Sequence, residues 1–468
     1  MRHHEYVRYD GIGLRDLIAS GEVSAAEVAA AAKDAIVAAN DRVNGMTQIF
    51  DTPLGSAPDG PLAGVPFLLK DFGPVADGVE FSIGSRALQG VKSPQDSELM
   101  TRFRAAGLAA FGVTTVPEMC ISYATESVRY GITRNPWDLS RGVGGSSGGA
   151  AAMVAAGAVP IAHGSDGAGS LRIPASCCGL VGVKPSRGRV TGAPGSGDPG
   201  FGMTGEFAVT RTVRDAALLL DLVHGPGVGD KYTAPPPARP YLQELGASPK
   251  ALRVGLSTTA WSGVAVDPEV AAETVRVAKV LSELGLQVEH ASPEVSWADA
   301  FLGLKGQLAA VAEPWLTSPR PPQPDKLEAV SRAVLAWVRD LKVTDLLACL
   351  AAQHRVSRTV GAFFTDYDIL VTPTLGQLPA PHGTFTYDNP SHTVDSWLTS
   401  IFDHGPFALV FNVTGHPAIS LPLGQSADGL PIGVQLVAPY GREDLLFRVA
   451  AQLEDALPWR DRTPPFSG

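Results

Sequence analysis

The chain has 468 residues, 45% hydrophobic and 18% charged, with a net charge of −10. This length allows two or three domains or one large α/β core, and the ordinary apolar content excludes a disordered chain. An acidic balance with no Lys/Arg cluster interleaved with aromatics excludes a basic nucleic-acid footprint and leaves small neutral molecules as expected partners.

The polar start, Met1-Arg2-His3-His4-Glu5-Tyr6, lacks the apolar core of a signal peptide. Residues 13–38 carry apolar side chains at helical spacing, with Ser24 before Ala25-Ala26-Glu27 as N-cap, and predict one or two opening helices. Pro66-Phe67-Leu68-Leu69 predicts a short buried strand with Lys70 at its end. Residues 97–106 read as a helix and 109–113 as a strand, an α/β alternation. Residues 135–142 read as turns rather than a strand. The glycine-rich loop 144–149 leads into an alanine-rich helix over 150–156, whose small side chains suit a deep position. The longest apolar run, 150–162, is broken by Gly157 and Pro160, so no membrane span is expected.

Pro235-Pro236-Pro237 and Pro240 mark a surface connection into a strand at 251–256, and a helix over 268–284 and a strand at 287–289 follow. A second αβ layer is therefore expected from about residue 250. Residues 316–326 and 376–396 read as loops, 368–371 as a strand and 443–453 as a closing helix. Four cysteines, two adjacent at Cys177 and Cys178, suit buried packing in a reducing, cytoplasmic setting rather than a disulfide framework. No CxxC or Cys/His metal spacing occurs, and His163 and Asp166 lack further ligands nearby, so no metal or other cofactor is expected.

Chemistry gathers around two loops and one lysine. Ser146 lies in Gly144-Gly145-Ser146-Ser147-Gly148-Gly149, and Ser170 in Asp166-Gly167-Ala168-Gly169-Ser170. Small residues in both loops let backbone N–H groups converge as an oxyanion hole requires. A hydroxyl attacks a carbonyl at neutral pH only if a base removes its proton, and a desolvated lysine such as Lys70 can do so. The run Gly144-x-Ser146-x-Gly148 also satisfies GxSxG, the nucleophile elbow of another hydrolase fold, but no strand is expected to lead into it. Gly195-x-Gly197-x-x-Gly200 matches a dinucleotide fingerprint yet lies among prolines with no preceding strand, and reads as a loop.

These residues stand within longer blocks: 144–149, Gly-Ser-Asp at 164–166, Gly-Ser-Leu-Arg-Ile-Pro-Ala at 169–175 and Gly-Leu-Val-Gly-Val-Lys-Pro-Ser-Arg-Gly at 179–188. Together with 61–71, 135–138, 412–418 and 429–435, they resemble the amidase signature family, serine hydrolases of amide bonds. The resemblance implies one domain over 1–468, a large mixed β-sheet flanked by α-helices on both faces, with a signature core at about 60–225 and variable substrate-wall loops beyond 250. By the same resemblance Lys70 is the base, Ser146 a proton shuttle preceded by a cis peptide, and Ser170 the nucleophile. Gly167, Ala168, Gly169 and Ser170 supply the oxyanion N–H groups, and Met119, Cys120 and Ile121 lie beside the acyl site. Segments 310–345 and 376–407 are the implied variable wall.

The chain departs from the family's usual Asp-Thr-Gly-Gly-Ser at Gly167 and Ala168, and the alanine requires a negative φ there. Within the family, 166–170, 173–179 and 440–445 look most similar to the 6-aminohexanoate cyclic dimer hydrolase type. A xenobiotic, aryl, cyclic or oligomeric amide is the implied substrate. A urethane or other carbamate on the same triad is the alternative, and a glutaminase subunit that hands ammonia to a partner is a third reading. A homodimer is compatible with the sequence, which selects no oligomeric state.

Overall fold

The structure is a computed structural model that describes every residue except 56, 73–74, 196–197, 199, 250 and 466–468. Local signals set the first elements. Asp10 caps Gly11–Ser20 through the Gly13 N–H, and Ser24 and Glu27 form a reciprocal capping box at the start of Ala25–Val43. Ser97 caps Glu98–Ala106 by accepting the Met100 N–H.

An 11-stranded sheet runs through the molecule. Its strands are β1 (Met46–Leu54), β2 (Pro66–Lys70), β3 (Ala109–Thr114), β4 (Ile161–Asp166), β5 (Val181–Lys184), β6 (Gly205–Thr210), β7 (Arg253–Leu256), β8 (Gln287–His290), β9 (Ile369–Pro373), β10 (Ala418–Gln425) and β11 (Pro431–Val437). The spatial order is β1-β3-β2-β4-β6-β5-β10-β11-β9-β7-β8. Strands β3, β2 and β4 run parallel to one another, as do β9, β7 and β8, while the strands between are antiparallel. The sheet is thus mixed, as the resemblance implied. Every residue of β2, β3, β4, β9 and β11 is buried, which requires cover on both faces because alternate side chains point to opposite sides.

The strands after residue 250 correct one expectation. They do not stack a second layer but continue the same sheet from β5, in the order β10-β11-β9-β7-β8. Residues 135–142 give another correction, since Arg134–Asn135 and Asp138–Gly142 pair as a two-stranded ribbon outside the main sheet. Asn135 closes that ribbon: its Oδ1 accepts the Trp137 N–H at 3.0 Å, and its Nδ2 donates to Gly142 O at 3.1 Å and Cys177 O at 2.9 Å. Helices that carried no sequence expectation include Val213–Val223, Trp297–Thr317, Ala329–Asp340, Val343–Phe363 and Val394–His404. The other expected helices and strands are present, with boundaries within a few residues. Cys177 and Cys178 are buried and unbonded. Of the dinucleotide-like run, Ser196, Gly197 and Pro199 lie outside the described residues. Among the described residues, no helix is long and apolar enough to cross a membrane.

Two features of the sheet place the functional residues. Strands β2 and β4 are parallel neighbours with Phe67 opposite Ile161 and Leu68 opposite Ala162, so Lys70 and Ser165 come out at the same carboxyl end. Helix Gly148–Ala155 packs on β2, β4 and β6, and all its residues are buried, which its glycine and alanine content permits.

Candidate active site

Lys70 ends β2 with only 1% of its surface exposed. Its Nζ lies 2.8 Å from Ser146 Oγ and 2.7 Å from Ser165 Oγ, and no carboxylate forms an ion pair with it among the described residues. Burial is the largest influence on this amine and pushes its pKa below the ordinary value; the more distant Cys120, Asp166, Glu206 and Asp71 oppose that shift without cancelling it. An amine that hydrogen-bonds only neutral hydroxyls and is shut off from water is a base in waiting. The Lys70 backbone N–H meets His163 Nδ1 at 3.3 Å, and His163 Nε2 faces Glu206 at 3.1 Å.

Ser146 follows a cis Gly145–Ser146 peptide, as the resemblance implied. The loop that carries it is stitched to β4 by Ser147, whose Oγ donates to Ser165 O at 3.2 Å and accepts the Ser165 N–H at 3.3 Å. The Ser147 N–H donates to Ser170 O at 3.2 Å, which brings the second serine loop against the first. The Ser170 hydroxyl lines the same cavity as Ser146 and has no hydrogen-bond partner among the described residues.

The loop before Ser170 is held by a buried ion pair. Arg172 donates to both Asp166 oxygens at 2.9 Å, and its remaining N–H groups reach Ala408 O, Gln435 Oε1 and Asn412 Oδ1. Asn412 Nδ2 returns a bond to Asp166 Oδ1 at 2.9 Å. Burial acts to raise the Asp166 pKa, but the Arg172 charge and the Arg172 and Asn412 hydrogen bonds outweigh it and hold the carboxyl below its usual range. Asp166 Oδ1 also accepts the Gly169 N–H at 2.7 Å. Of the four expected oxyanion donors, Gly169 is therefore committed inside the loop. The N–H groups of Gly167, Ala168 and Ser170 have no partner among the described residues. Gly169 takes a φ of 123°, which only glycine adopts freely, whereas Ala168 avoids the positive-φ region as its side chain requires.

The two serines open onto a cavity of about 910 Å³, a size that suits a small organic molecule. Met119, Cys120 and Ile121 line it, as the resemblance implied. Met119 and Cys120 have φ of 55° and 58°, and Ile83 and Phe201, also in the lining, have 50° and 53°. Left-handed backbone at non-glycine residues is uncommon and persists only where surroundings impose it. Here Glu118 does so in part: its carboxylate accepts the Ser85 hydroxyl at 2.6 Å and the Glu328 N–H at 2.7 Å, while the Met119 N–H donates to Ile83 O at 2.9 Å. Burial pushes the Cys120 thiol pKa up against the opposing Lys70 charge, so this cysteine is a protonated wall residue.

The variable wall is only partly where the sequence put it. Residues from 304–322 and 398–402 line the cavity, but so do residues from 81–97 and Gly192, Gly200, Phe201 and Glu206, which carried no such expectation. Ser165, Arg172, Asn412 and Gln435 were also not singled out, although the first two sit inside the signature blocks and the others in or beside the flanking ones. His163 and Asp166, which the sequence left as a pair without further ligands, turn to different partners.

Comparison with known proteins follows the same lines. The amidase family profile matches residues 24–447. The 6-aminohexanoate-cyclic-dimer hydrolase of Paenarthrobacter ureafaciens is 39% identical over 480 residues, covering 97% of this chain and 96% of that one. A solved structure of 6-aminohexanoate cyclic dimer hydrolase complexed with substrate superposes with a TM-score of 0.92 at 36% identity, covering 99% of this chain and 100% of that one. A bacterial aryl acylamidase of the amidase signature family gives a TM-score of 0.84 at 25% identity, with 96% of each chain covered. Both the family and the cyclic-dimer type are those that the signature blocks resemble.

Proposed function

The chain belongs to the amidase family of amidohydrolases, and from that premise we propose that it cleaves small amides through an acyl-enzyme on Ser170. Neutral Lys70 takes the proton of Ser146, Ser146 takes that of Ser170, and Ser170 Oγ attacks the substrate carbonyl. The N–H groups of Gly167, Ala168 and Ser170 receive the oxyanion. Ser146 then delivers a proton to the departing nitrogen, which leaves as an amine, and Lys70 reprotonates Ser146. Water cleaves the resulting ester by the same relay in reverse and restores Ser170. The observation that carries this reading is the Lys70 amine, buried with no ion-pair partner among the described residues and 2.8 Å from the Ser146 hydroxyl.

The substrate class follows from the cavity and the relatives together. Phe72, Phe81, Met119, Leu304, Trp315 and Phe402 make the walls largely apolar, which suits the methylene chains of a cyclic or oligomeric aliphatic amide or the ring of an aryl amide. Purified protein should turn over a cyclic amide or an anilide faster than acetamide. An aryl carbamate in the same screen separates amidase from urethanase. Ser170→Ala should lower kcat with every substrate by roughly 10⁴-fold or more. Undiminished turnover in that variant would falsify the nucleophile assignment.

A further inference from the structure

The loop that carries the oxyanion donors is gripped by two side chains that the cycle above does not use. Gln307, on the wall helix Trp297–Thr317, is 6% exposed and donates through Nε2 to Gly167 O at 3.2 Å and to Thr204 Oγ1 at 2.9 Å. A peptide carbonyl only accepts, so the NH₂ side of the Gln307 amide must face the loop. Within one trans peptide plane the C=O and the N–H point in opposite directions. Holding Gly167 C=O against Gln307 therefore aims the Ala168 N–H the other way, and Ala168 is one of the donors left free. Tyr123 acts on the next peptide: its hydroxyl donates to Ala168 O at 2.5 Å while the Gly169 N–H goes to Asp166.

Room for Gln307 exists because residue 167 is glycine. A Cβ at 167 would lie 2.6 Å from Gln307 Nε2, and a Cβ at Gly200 would lie 2.8 Å from Gln307 Cγ. Residue 167 is one of the two positions, with 168, at which the chain departs from the Asp-Thr-Gly-Gly-Ser pattern. The missing side chain and the inserted amide occupy the same space.

We propose that Gln307 is a positioning residue for the hydrolysis, matched to Gly167, that orients the Ala168 N–H toward the developing oxyanion and so couples the substrate wall to the chemical step. The inference rests on Ser170 being the nucleophile. Gln307→Met keeps length and volume and removes both hydrogen bonds. Measured on an anilide, it should lower kcat by about 10- to 100-fold and shift KM by less than about 3-fold. Affinity for a trifluoromethyl ketone, which forms a tetrahedral adduct with the serine, should fall by the same factor as kcat, while the matching methyl ketone binds as before.

Gly167→Thr should lose kcat through the clash, and adding Gln307→Ala to it should recover part of the loss. That pair supplies the decision if Gln307→Met does not fold. Full kcat in Gln307→Met, or a loss confined to KM and equal for both ketones, overturns the proposal. Failure of the nucleophile reading shows separately, as turnover that survives Ser170→Ala.

Discussion

Lys70 and Arg172 are buried basic side chains, 1% and 0% exposed, with opposite surroundings. Arg172 has a carboxylate, two side-chain amide oxygens and a backbone carbonyl around it, and every one of those acceptors is itself buried. Lys70 has hydroxyls. A buried charge with a full set of acceptors stays charged and fixes geometry, whereas a buried amine beside neutral groups gives up its proton readily. The region under Ser170 is accordingly a rigid frame, and the region between Lys70 and Ser146 is a movable proton.

The largest break in that contrast is expected from Arg172→Met, which strands the Asp166 carboxylate. Removing one partner of a buried pair costs about 3–5 kcal/mol, to be read from urea denaturation. A loss below about 1 kcal/mol would mean that the frame does not depend on the charge pair.

Lys70→Met should act on the other region, lowering kcat/KM by about 10²–10⁴-fold with a modest effect on stability. In the wild type, activity should fall as acid protonates Lys70, because the lowered pKa belongs to a group that works unprotonated; the residual activity of Lys70→Met should lack that acid limb. The same shift affects folding. Between the depressed folded value and the ordinary lysine value of about 10.4, the unfolded chain binds more protons, so stability should rise with pH across that window and the variant should flatten the rise. A wild-type acid limb that survives in Lys70→Met would assign it to another group.

Ser165→Ala sharpens the comparison with the smallest effect. Loss of one hydrogen bond to the amine, about 1 kcal/mol, should slow turnover several-fold. Because Ser165 accepts from the charged form, its removal should move the acid limb to lower pH. Movement upward would mean that Ser165 instead supports the neutral amine.

Much of this site was legible before any coordinates. The glycine-bracketed Ser146 and Ser170, the strand-end Lys70 and the capping box at Ser24 are all local patterns, in which spacing along the chain decides the outcome. The ribbon at 134–142 was not legible, because side-chain bonds of Asn135, one of them to Cys177 O, close it. The left-handed turn at Met119 and Cys120 has no glycine to announce it and is held through the neighbouring Glu118, whose carboxylate bonds to Ser85 and Glu328, far along the chain. The commitment of the Gly169 N–H to Asp166 could not be read from a list of four small residues. Gln307 carried no signal, since its partners lie 140 and 103 positions away.

The sequence by itself determined the reaction class, through signature blocks spread along the chain that place it among the amidohydrolases. Only the tertiary structure decided the downward shift of the Lys70 pKa, which oxyanion donors are free among the described residues and the shape of the wall. Those depend on desolvation and on contacts between residues far apart in the chain, and neither is a property of neighbouring letters.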